Sequence, residues 1–271
     1  MNGAITTKSG ARGSSAGMKG LVRRSLARIG GMLLESYRLG GRALLVAPAL
    51  VAIAVLPEAA QHVAEIKLNM FVSTEAFRAL ANDPTRWAFG YAKIAGFLMA
   101  ILAIARFWSV GTVRATLLVP PSDLLRLIFA IGLTFVAALP FDWARKQGLP
   151  VTLDWSLAAV SSVIQAGLLV YIAGALFGDR AMTLSRAFSQ SLPTALMITL
   201  ALAAVFVPSQ ALHMANHKVA IGSSDAVVWA AMLFDSLWVG LFAALLGSAL
   251  FAGYASGLTW RGWARRGHAG V

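Results

Sequence analysis

Apolar residues along this chain are gathered into six long runs, separated by shorter polar segments. The runs span residues 43–62, 88–106, 125–142, 156–177, 192–212 and 226–254. A helix needs about 20 residues to cross a hydrocarbon core of roughly 30 Å, and the runs are close to or above this length. The first and third reach it only if Arg42 and Arg126 extend towards the headgroups and the helix continues past its proline. The pattern predicts an all-α, polytopic integral membrane protein with six transmembrane helices.

A basic amphipathic segment, residues 18–41, precedes the first run. Its apolar residues recur at helical spacing: Val22, Leu26, Ile29, Leu33 and Tyr37. Its basic residues gather on the opposite side: Lys19, Arg23, Arg24 and Arg28. A helix of this kind lies in the interface and turns its cations towards anionic headgroups. We expect the four basic side chains to bind the membrane surface. An anchor that sets the topology is a simpler explanation than a sensing or docking helix.

The composition and charge agree with a membrane protein. Hydrophobic residues make up 58% of the chain and charged residues 13%, whereas charged residues approach a quarter of a soluble domain. The net charge is +12, and most Lys and Arg residues lie in segments that face the cytoplasm if the N-terminus does. By the positive-inside rule, we expect a multi-pass protein of a bacterial inner (plasma) membrane with both termini cytoplasmic.

Four parts follow one another along the chain. Residues 1–17, rich in Gly, Ser, Thr and Ala, predict a disordered tail, and the amphipathic segment follows. Residues 42–258 form the six-helix transmembrane domain, and residues 259–271 form a basic cytoplasmic tail. Because the positive charge lies at the membrane edges rather than over a folded surface, the predicted partners are the bilayer and its anionic lipids, not nucleic acid.

Three prolines mark the outer ends of the runs that lead outwards. Pro57, Pro140 and Pro208 close the first, third and fifth runs. The stretches "VLPEAAQHVA" and "FVPSQALHMA" around the first and last of them match, and His62 and His213 each follow their proline by five residues. A proline near a helix end frees a carbonyl where headgroup water can satisfy it. The pattern predicts three pseudo-repeated helical hairpins that enter and leave on the cytoplasmic side.

One loop carries a family resemblance. The phrase "GDRAMTLSRAFSQSLPTAL", a polar turn followed by a short Ala-Phe helix and an apolar run, resembles a loop in the six-helix membrane domain attached to some glycerophosphoryl diester phosphodiesterases. Related uncharacterised bacterial inner-membrane proteins share that domain. The resemblance implies a six-helix bundle with interfacial helices. It implies no active site, because the catalytic domain of those phosphodiesterases is a separate unit.

Asp235, within the sixth run, is the most informative single residue. A carboxylate inside a membrane costs about 2.5–3.5 kcal/mol on insertion scales and therefore points to function. Gln165 in the fourth run should lie at a similar depth, and Lys93 enters from the same side. These three intramembrane polar residues would form the binding site of a small-solute or proton-linked transporter. The alternative is a hydrogen-bonded Asp that clamps helices together, which a lone acid favours.

Three histidines form the other candidate group. His62, His213 and His217 lie near the outer surface, with Glu58 and Glu65 beside the first of them. Imidazoles with a carboxylate suit Zn²⁺ or Cu²⁺, but the chain has no HExxH motif and no cysteine. The simpler explanation is that histidine suits a membrane interface, so we expect no cofactor. Histidines that face each other across the bundle would strengthen the metal hypothesis.

Two common enzyme signatures are missing from the sequence. It contains no Walker loop and no cysteine, so nucleotide and thiol chemistry have no visible machinery. We therefore expect a non-enzymatic membrane protein that supports membrane organisation, lipid homeostasis or the assembly of a complex. Transport through Asp235 is the alternative.

Two further segments bear on partners. The outer segment 63–87 could form a lid, but a helix flattened on the membrane is the simpler interpretation. Small residues also line one face of the sixth run: Gly240, Ala244, Ser248 and Ala252. They predict close helix packing, within the chain, with a second copy or with a partner membrane protein.

Overall fold

The computed structural model describes residues 12–148 and 150–260, and every element in these ranges is a helix. Ten helices follow in order: α1 (Arg12–Val46), α2 (Pro48–Lys67), α3 (Thr74–Ala79), α4 (Pro84–Val110), α5 (Val113–Leu117), α6 (Pro121–Arg145), α7 (Val151–Leu176), α8 (Leu184–Ser189), α9 (Leu192–Ala220) and α10 (Asp225–Trp260).

Six of these helices, α2, α4, α6, α7, α9 and α10, are long and apolar enough to cross a membrane. The all-α fold class is therefore confirmed, as is the prediction of six helices with the length and apolar character of membrane spans. The short helices α3, α5 and α8 lie in the connections between them. Each begins at a hydroxyl cap, in which Ser73, Thr112 or Thr183 accepts a hydrogen bond from a backbone N–H of its first turn, as N-cap residues commonly do.

The three prolines do not end their helices. α2 continues past Pro57 to Lys67, α6 past Pro140 to Arg145 and α9 past Pro208 to Ala220. A proline removes one intrahelical hydrogen bond, and each of the three helices nevertheless continues beyond its proline. At Pro57, Gly96 of α4 lies so close that an added Cβ would approach the Ile53 carbonyl oxygen to 2.6 Å. The extensions beyond the prolines carry all three candidate histidines.

α10 is the central helix of the bundle. Of its most apolar 18-residue window, 78% is buried, and α1, α2, α4 and α9 pack around it. Glycines allow this close approach, since a Cβ added at Gly253 would lie 2.7 Å from Ile198 Cα on α9. The predicted small-residue face packs within the chain: Ala244 and Ala252 are buried, and Ser248 accepts a hydrogen bond of 2.9 Å from Trp108 Nε1.

α1 is a single helix that packs against α10 and α9. It is longer at both ends than the predicted segment 18–41, and residues 12–17 of the predicted tail belong to it; residues 1–11 and 261–271 lie outside the described ranges. Its buried face carries Met32, Ser36, Leu39 and Ala43, whereas Leu26 of the predicted apolar face is 63% exposed. Neighbouring helices, rather than the apolar stripe alone, therefore decide which face of α1 is covered.

Three of the four basic side chains predicted to bind the membrane surface are described, and all three are exposed on α1. Arg23, Arg24 and Arg28 are exposed, while the side chain of Lys19 lies outside the described ones. Their role at a membrane surface stays a prediction.

Candidate functional site

Asp235 lies at the meeting point of three helices. It is fully buried on α10, and its Oδ2 atom lies 3.1 Å from His62 Nε2 on α2, 2.7 Å from His213 Nδ1 on α9 and 3.7 Å from His217 Nε2 on α9. Glu58 and Glu65 of α2 complete the group. We call these six residues, Glu58, His62, Glu65, His213, His217 and Asp235, the acid–histidine centre.

Helical spacing on α2 and α9 produces this convergence. Glu58, His62 and Glu65 follow one another at intervals of four and three, which places them on one face of α2. His213 and His217 are four apart on α9, which stays helical past Pro208. Both histidine-bearing faces turn towards Asp235, so the matched proline–histidine stretches serve the same carboxylate.

His62 is held between carboxylates on both sides of its ring. Nδ1 lies 3.0 Å from Glu65 Oε2, and Nε2 lies 3.1 Å from both Asp235 Oδ2 and Glu58 Oε1. A neutral imidazole carries a proton on only one nitrogen. The nitrogen that faces the other carboxylates therefore requires either a second proton or a bound cation.

Two cations from α4 face the acidic side of the centre. Lys93 Nζ lies 2.8 Å from Glu58 Oε1, and Arg86 Nε donates a hydrogen bond of 2.9 Å to Glu65 Oε1. Arg86 is placed by the start of α4, where Asp83 accepts hydrogen bonds from the backbone N–H groups of Thr85 and Arg86. Three carboxylates against two cations leave one negative charge unbalanced when the histidines are neutral.

Several polar atoms in and beside the centre have no hydrogen-bond partner. Within the centre these include Glu58 Oε2 and His217 Nδ1, and beside it Gln61 Oε1; all three atoms are buried and unpaired among the described residues. The second oxygen of Asp235 is occupied, because Asn216 Nδ2 donates to Oδ1 over 2.7 Å. Buried polar groups are normally paired, so the unpaired atoms mark a place where a further ligand would be accommodated.

The connection between α2 and α4 covers the centre. Asn69 takes a left-handed conformation with φ 58°, which asparagine tolerates better than most residues. It turns the chain so that Phe71 and Phe77 lie with their ring centroids 6.0 and 6.2 Å from that of His217. The Phe71 carbonyl accepts a hydrogen bond from Gly222 N over 2.8 Å. The predicted outer helix within 63–87 is thus only the short α3, next to a segment packed over the centre.

The predicted candidates divide between two places. Asp235, Lys93 and the three histidines come together in the centre, whereas Gln165 lies on α7 and donates to the Thr134 carbonyl of α6 over 3.4 Å. Depth along a helix was the basis for pairing Gln165 with Asp235, and depth does not fix which way a side chain faces. The sequence reasoning missed Arg86 and Asn216. The position of Asn216, three residues after His213, was the only available signal for it.

Two sets of ligand atoms in the centre could hold a metal ion. His62, His217 and Asp235 each offer an atom within 4.8 Å of the others, and so do Glu58, His213 and Asp235. In the first set, His62 and Asp235 are buried and the His217 side chain is 12% exposed. The two sets share Asp235, so they are alternative positions around one carboxylate.

A second polar region lies at the other end of the bundle. Arg106 Nη1 donates to the Leu176 carbonyl at the end of α7 over 2.7 Å, and Arg126 Nη2 donates to the Met182 carbonyl over 2.9 Å. Tyr254 Oη donates to Asp179 Oδ2 over 2.7 Å. Tyr254 and Asp235 are nineteen residues apart on α10, which is about 28 Å along the helix. We call Arg106, Arg126, Asp179 and Tyr254 the arginine region.

Comparisons with protein-family models, with curated protein sequences and with solved structures find no match to this chain.

Proposed function

We propose that the protein is a multi-pass membrane transporter of cations, with the acid–histidine centre as its binding site. The observation that carries this proposal is the charge of the centre: three buried carboxylates, Glu58, Glu65 and Asp235, face two cationic side chains of α4, which leaves one net negative charge when the histidines are neutral. A net negative, buried site attracts cations and repels anions. Ionisable groups inside membrane proteins commonly mark the paths of ions and protons.

The position of the centre suits such a path. Asp235 lies ten residues from the start of α10, or about 15 Å along the helix, while Glu65 lies close to the end of α2. The segment with Phe71 and Phe77 covers the centre from the nearer end. A cation entering from that end would pass this segment before it meets Asp235.

A second candidate function has an observation of its own. Each carboxylate of the centre already contacts a cation or an amide, and Glu58 and Asp235 are fully buried. A closed network of this kind suits a static clamp between helices. On that basis the protein would support membrane organisation, lipid homeostasis or the assembly of a complex, with anionic lipids or another membrane protein as partner.

The proposal includes the orientation and the repeat. We place both termini in the cytoplasm and the centre towards the outer face of a bacterial inner membrane, which follows from the distribution of Lys and Arg. Exposed Arg23, Arg24 and Arg28 would then meet anionic lipids. A reporter that is active only outside the cytoplasm should therefore be active when it is fused after residue 70, 148 or 220.

The hairpin repeat and the family resemblance belong to the same proposal. The equivalent proline–histidine stretches of α2 and α9 support a repeat of the first and third hairpins, since His62 and His213 both contact Asp235. A shared six-helix ancestry with the membrane domain of some glycerophosphoryl diester phosphodiesterases would account for such a bundle.

Flux measurements on proteoliposomes test the transport proposal. Purified protein is reconstituted with an internal ion indicator, and separate gradients of Na⁺, K⁺, H⁺, Mg²⁺ and Zn²⁺ are applied. We expect at least one cation to enter about tenfold faster than in protein-free liposomes, and Asp235→Asn to return the rate to that background. Gln165→Leu, a polar site outside the centre, serves as the matched control and should retain the flux.

Two results would reject transport. If no cation moves faster than in protein-free liposomes, the clamp becomes the better explanation. If Asp235→Asn retains the full flux, the centre is not the path.

A further inference from the structure

We propose that the cation bound in the centre is a single divalent transition-metal ion of the Zn²⁺ class, with His62 Nε2, His217 Nε2 and Asp235 Oδ2 as its ligands. The inference rests on the proposed function only in taking the ligand to be a cation. Binding itself requires no transport.

The spacing of the ligand atoms fits a tetrahedral ion. Bonds of about 2.0–2.1 Å to zinc place neighbouring ligand atoms about 3.3 Å apart. Asp235 Oδ2 lies 3.1 Å from His62 Nε2 and 3.7 Å from His217 Nε2, and all three ligand atoms lie within 4.8 Å of one another. The ion would need only small shifts of these side chains.

The chemistry of the ligands selects the class of ion. Imidazole nitrogen suits Zn²⁺, Cu²⁺ and Ni²⁺, whereas Mg²⁺ and Ca²⁺ prefer ligand sets made only of oxygen. The chain has no cysteine, so a thiolate site does not compete within it. Two imidazoles and one carboxylate leave a fourth position open, as in sites that exchange a ligand rather than lock a structural ion.

A supporting shell around the ligands is already in place. Metal-bound histidines usually donate their other N–H to a carboxylate, which fixes the tautomer and the ring. His62 Nδ1 lies 3.0 Å from Glu65 Oε2, and Glu65 is itself held by Arg86 and by Gln61. Asn216 fixes the non-ligating oxygen of Asp235 over 2.7 Å. This shell favours the set with His62 and His217 over the set with His213 and Glu58.

An unpaired buried atom gives independent support. Glu58 is fully buried and its carboxylate adjoins His62 Nε2, yet its Oε2 atom has no hydrogen-bond partner among the described residues. His217 Nδ1 is also a buried atom without a hydrogen-bond partner among the described residues. A water or a ligand that accompanies the ion would satisfy these atoms.

Direct metal binding tests the inference. The full-length chain is purified in detergent with an affinity tag that lacks histidine, treated with chelator and dialysed against ZnCl₂, and the metal is counted by mass spectrometry. We expect one Zn²⁺ per chain, retained against an excess of Mg²⁺ and Ca²⁺. Co²⁺ in place of Zn²⁺ should give the intense visible absorption of a four-coordinate ion.

Variants assign the ligands. His217→Gln and Asp235→Asn should weaken Zn²⁺ binding by about 100-fold or more, because each removes a ligand. Glu65→Gln should weaken it by about 10–100-fold while one ion still binds, as for other residues that orient a ligand. His213→Gln should change the affinity less than tenfold. His268→Gln, the remaining histidine of the sequence, is the matched control and should change nothing.

Three outcomes would overturn the inference. The first is a folded wild-type chain that binds no Zn²⁺ and gives no four-coordinate Co²⁺ spectrum, a result that depends on no variant. The second is loss of binding in His213→Gln with binding retained in His217→Gln, which would move the ligand set. The third is loss of binding in His268→Gln, which would place the ion on the C-terminal residues.

Binding and transport can fail separately. Zn²⁺ binding in detergent without flux in liposomes would leave this inference standing and remove the transport proposal. Flux of a monovalent cation without Zn²⁺ binding would support the transport proposal and reject this inference.

Discussion

The acid–histidine centre and the arginine region are two polar regions in one apolar bundle, and they satisfy their charges in different ways. In the arginine region, Arg106 and Arg126 donate to main-chain carbonyls near the end of α7 and in the loop after it. In the centre, side chains from α2, α9 and α10 contact one another around Asp235. The arginine region links side chains to the main chain of neighbouring segments. The acid–histidine centre brings together side chains that can exchange protons or ligands.

This difference distinguishes structural contacts from candidate functional groups better than the burial of the side chains does. The carbonyls at the end of a helix lack intrahelical partners, so a cation that bonds to them completes the helix. Such carbonyls cannot change their charge. The carboxylates and imidazoles of the centre can, and one negative charge among them is unbalanced when the histidines are neutral. We therefore expect variants to affect stability in both regions but cation binding in only one.

The largest effect on stability is expected for Lys93→Met. Lys93 Nζ lies 2.8 Å from Glu58 Oε1, and Glu58 is fully buried. Removing one partner of a buried pair leaves a charge without compensation and commonly costs about 3–5 kcal/mol. The free energy of unfolding, measured by denaturant titration in mixed detergent micelles, should fall by that amount.

The double variant Lys93→Met/Glu58→Gln is the control for this prediction. It removes both charges and should recover most of the lost stability, because the buried carboxylate is then absent. If the single variant Lys93→Met is as stable as the wild type, water must reach the Glu58 carboxylate. The description of Glu58 as fully buried would then be wrong.

An intermediate effect is expected for Arg126→Met in the arginine region. The variant loses the hydrogen bond to the Met182 carbonyl and the contact with the Tyr171 ring, whose centroid lies 5.5 Å from the guanidinium carbon. A hydrogen bond to a charged group contributes about 1.5–3 kcal/mol, so unfolding should become easier by that amount. Zn²⁺ binding should not change. A loss of Zn²⁺ binding in the folded variant would show that the two regions are coupled.

The smallest effect is expected for Gln165→Leu. Gln165 is half-buried, and its hydrogen bond to the Thr134 carbonyl is long, at 3.4 Å. Leucine has a similar size and suits the surroundings of α6 and α7, so the free energy of unfolding should change by less than about 0.5 kcal/mol. The same thermal or denaturant measurement applies. A loss of flux in this variant would restore Gln165 to the transport path.

Part of the site could be anticipated from the sequence, and part could not. Asp235 is conspicuous because a lone carboxylate in an apolar run is costly, and the matched proline–histidine stretches drew attention to His62 and His213. Arg86 could not be anticipated, because it reaches Glu65 across a loop whose path no local pattern describes. Gln165 was expected beside Asp235 because spacing along a helix gives the depth of a side chain. Spacing does not give the direction in which that side chain points.

The sequence by itself determined that six helices are apolar enough to cross a membrane and that small residues let α10 pack closely, because these depend on apolar content and side-chain size. Only the tertiary structure decided which helix is central. α6 is at least as apolar as α10, yet 6% of its most apolar window is buried against 78% for α10. Lipid solvates an apolar face as well as protein does, so hydropathy cannot rank helices by burial. Convergence of α2, α9 and α10 on one carboxylate depends on that packing.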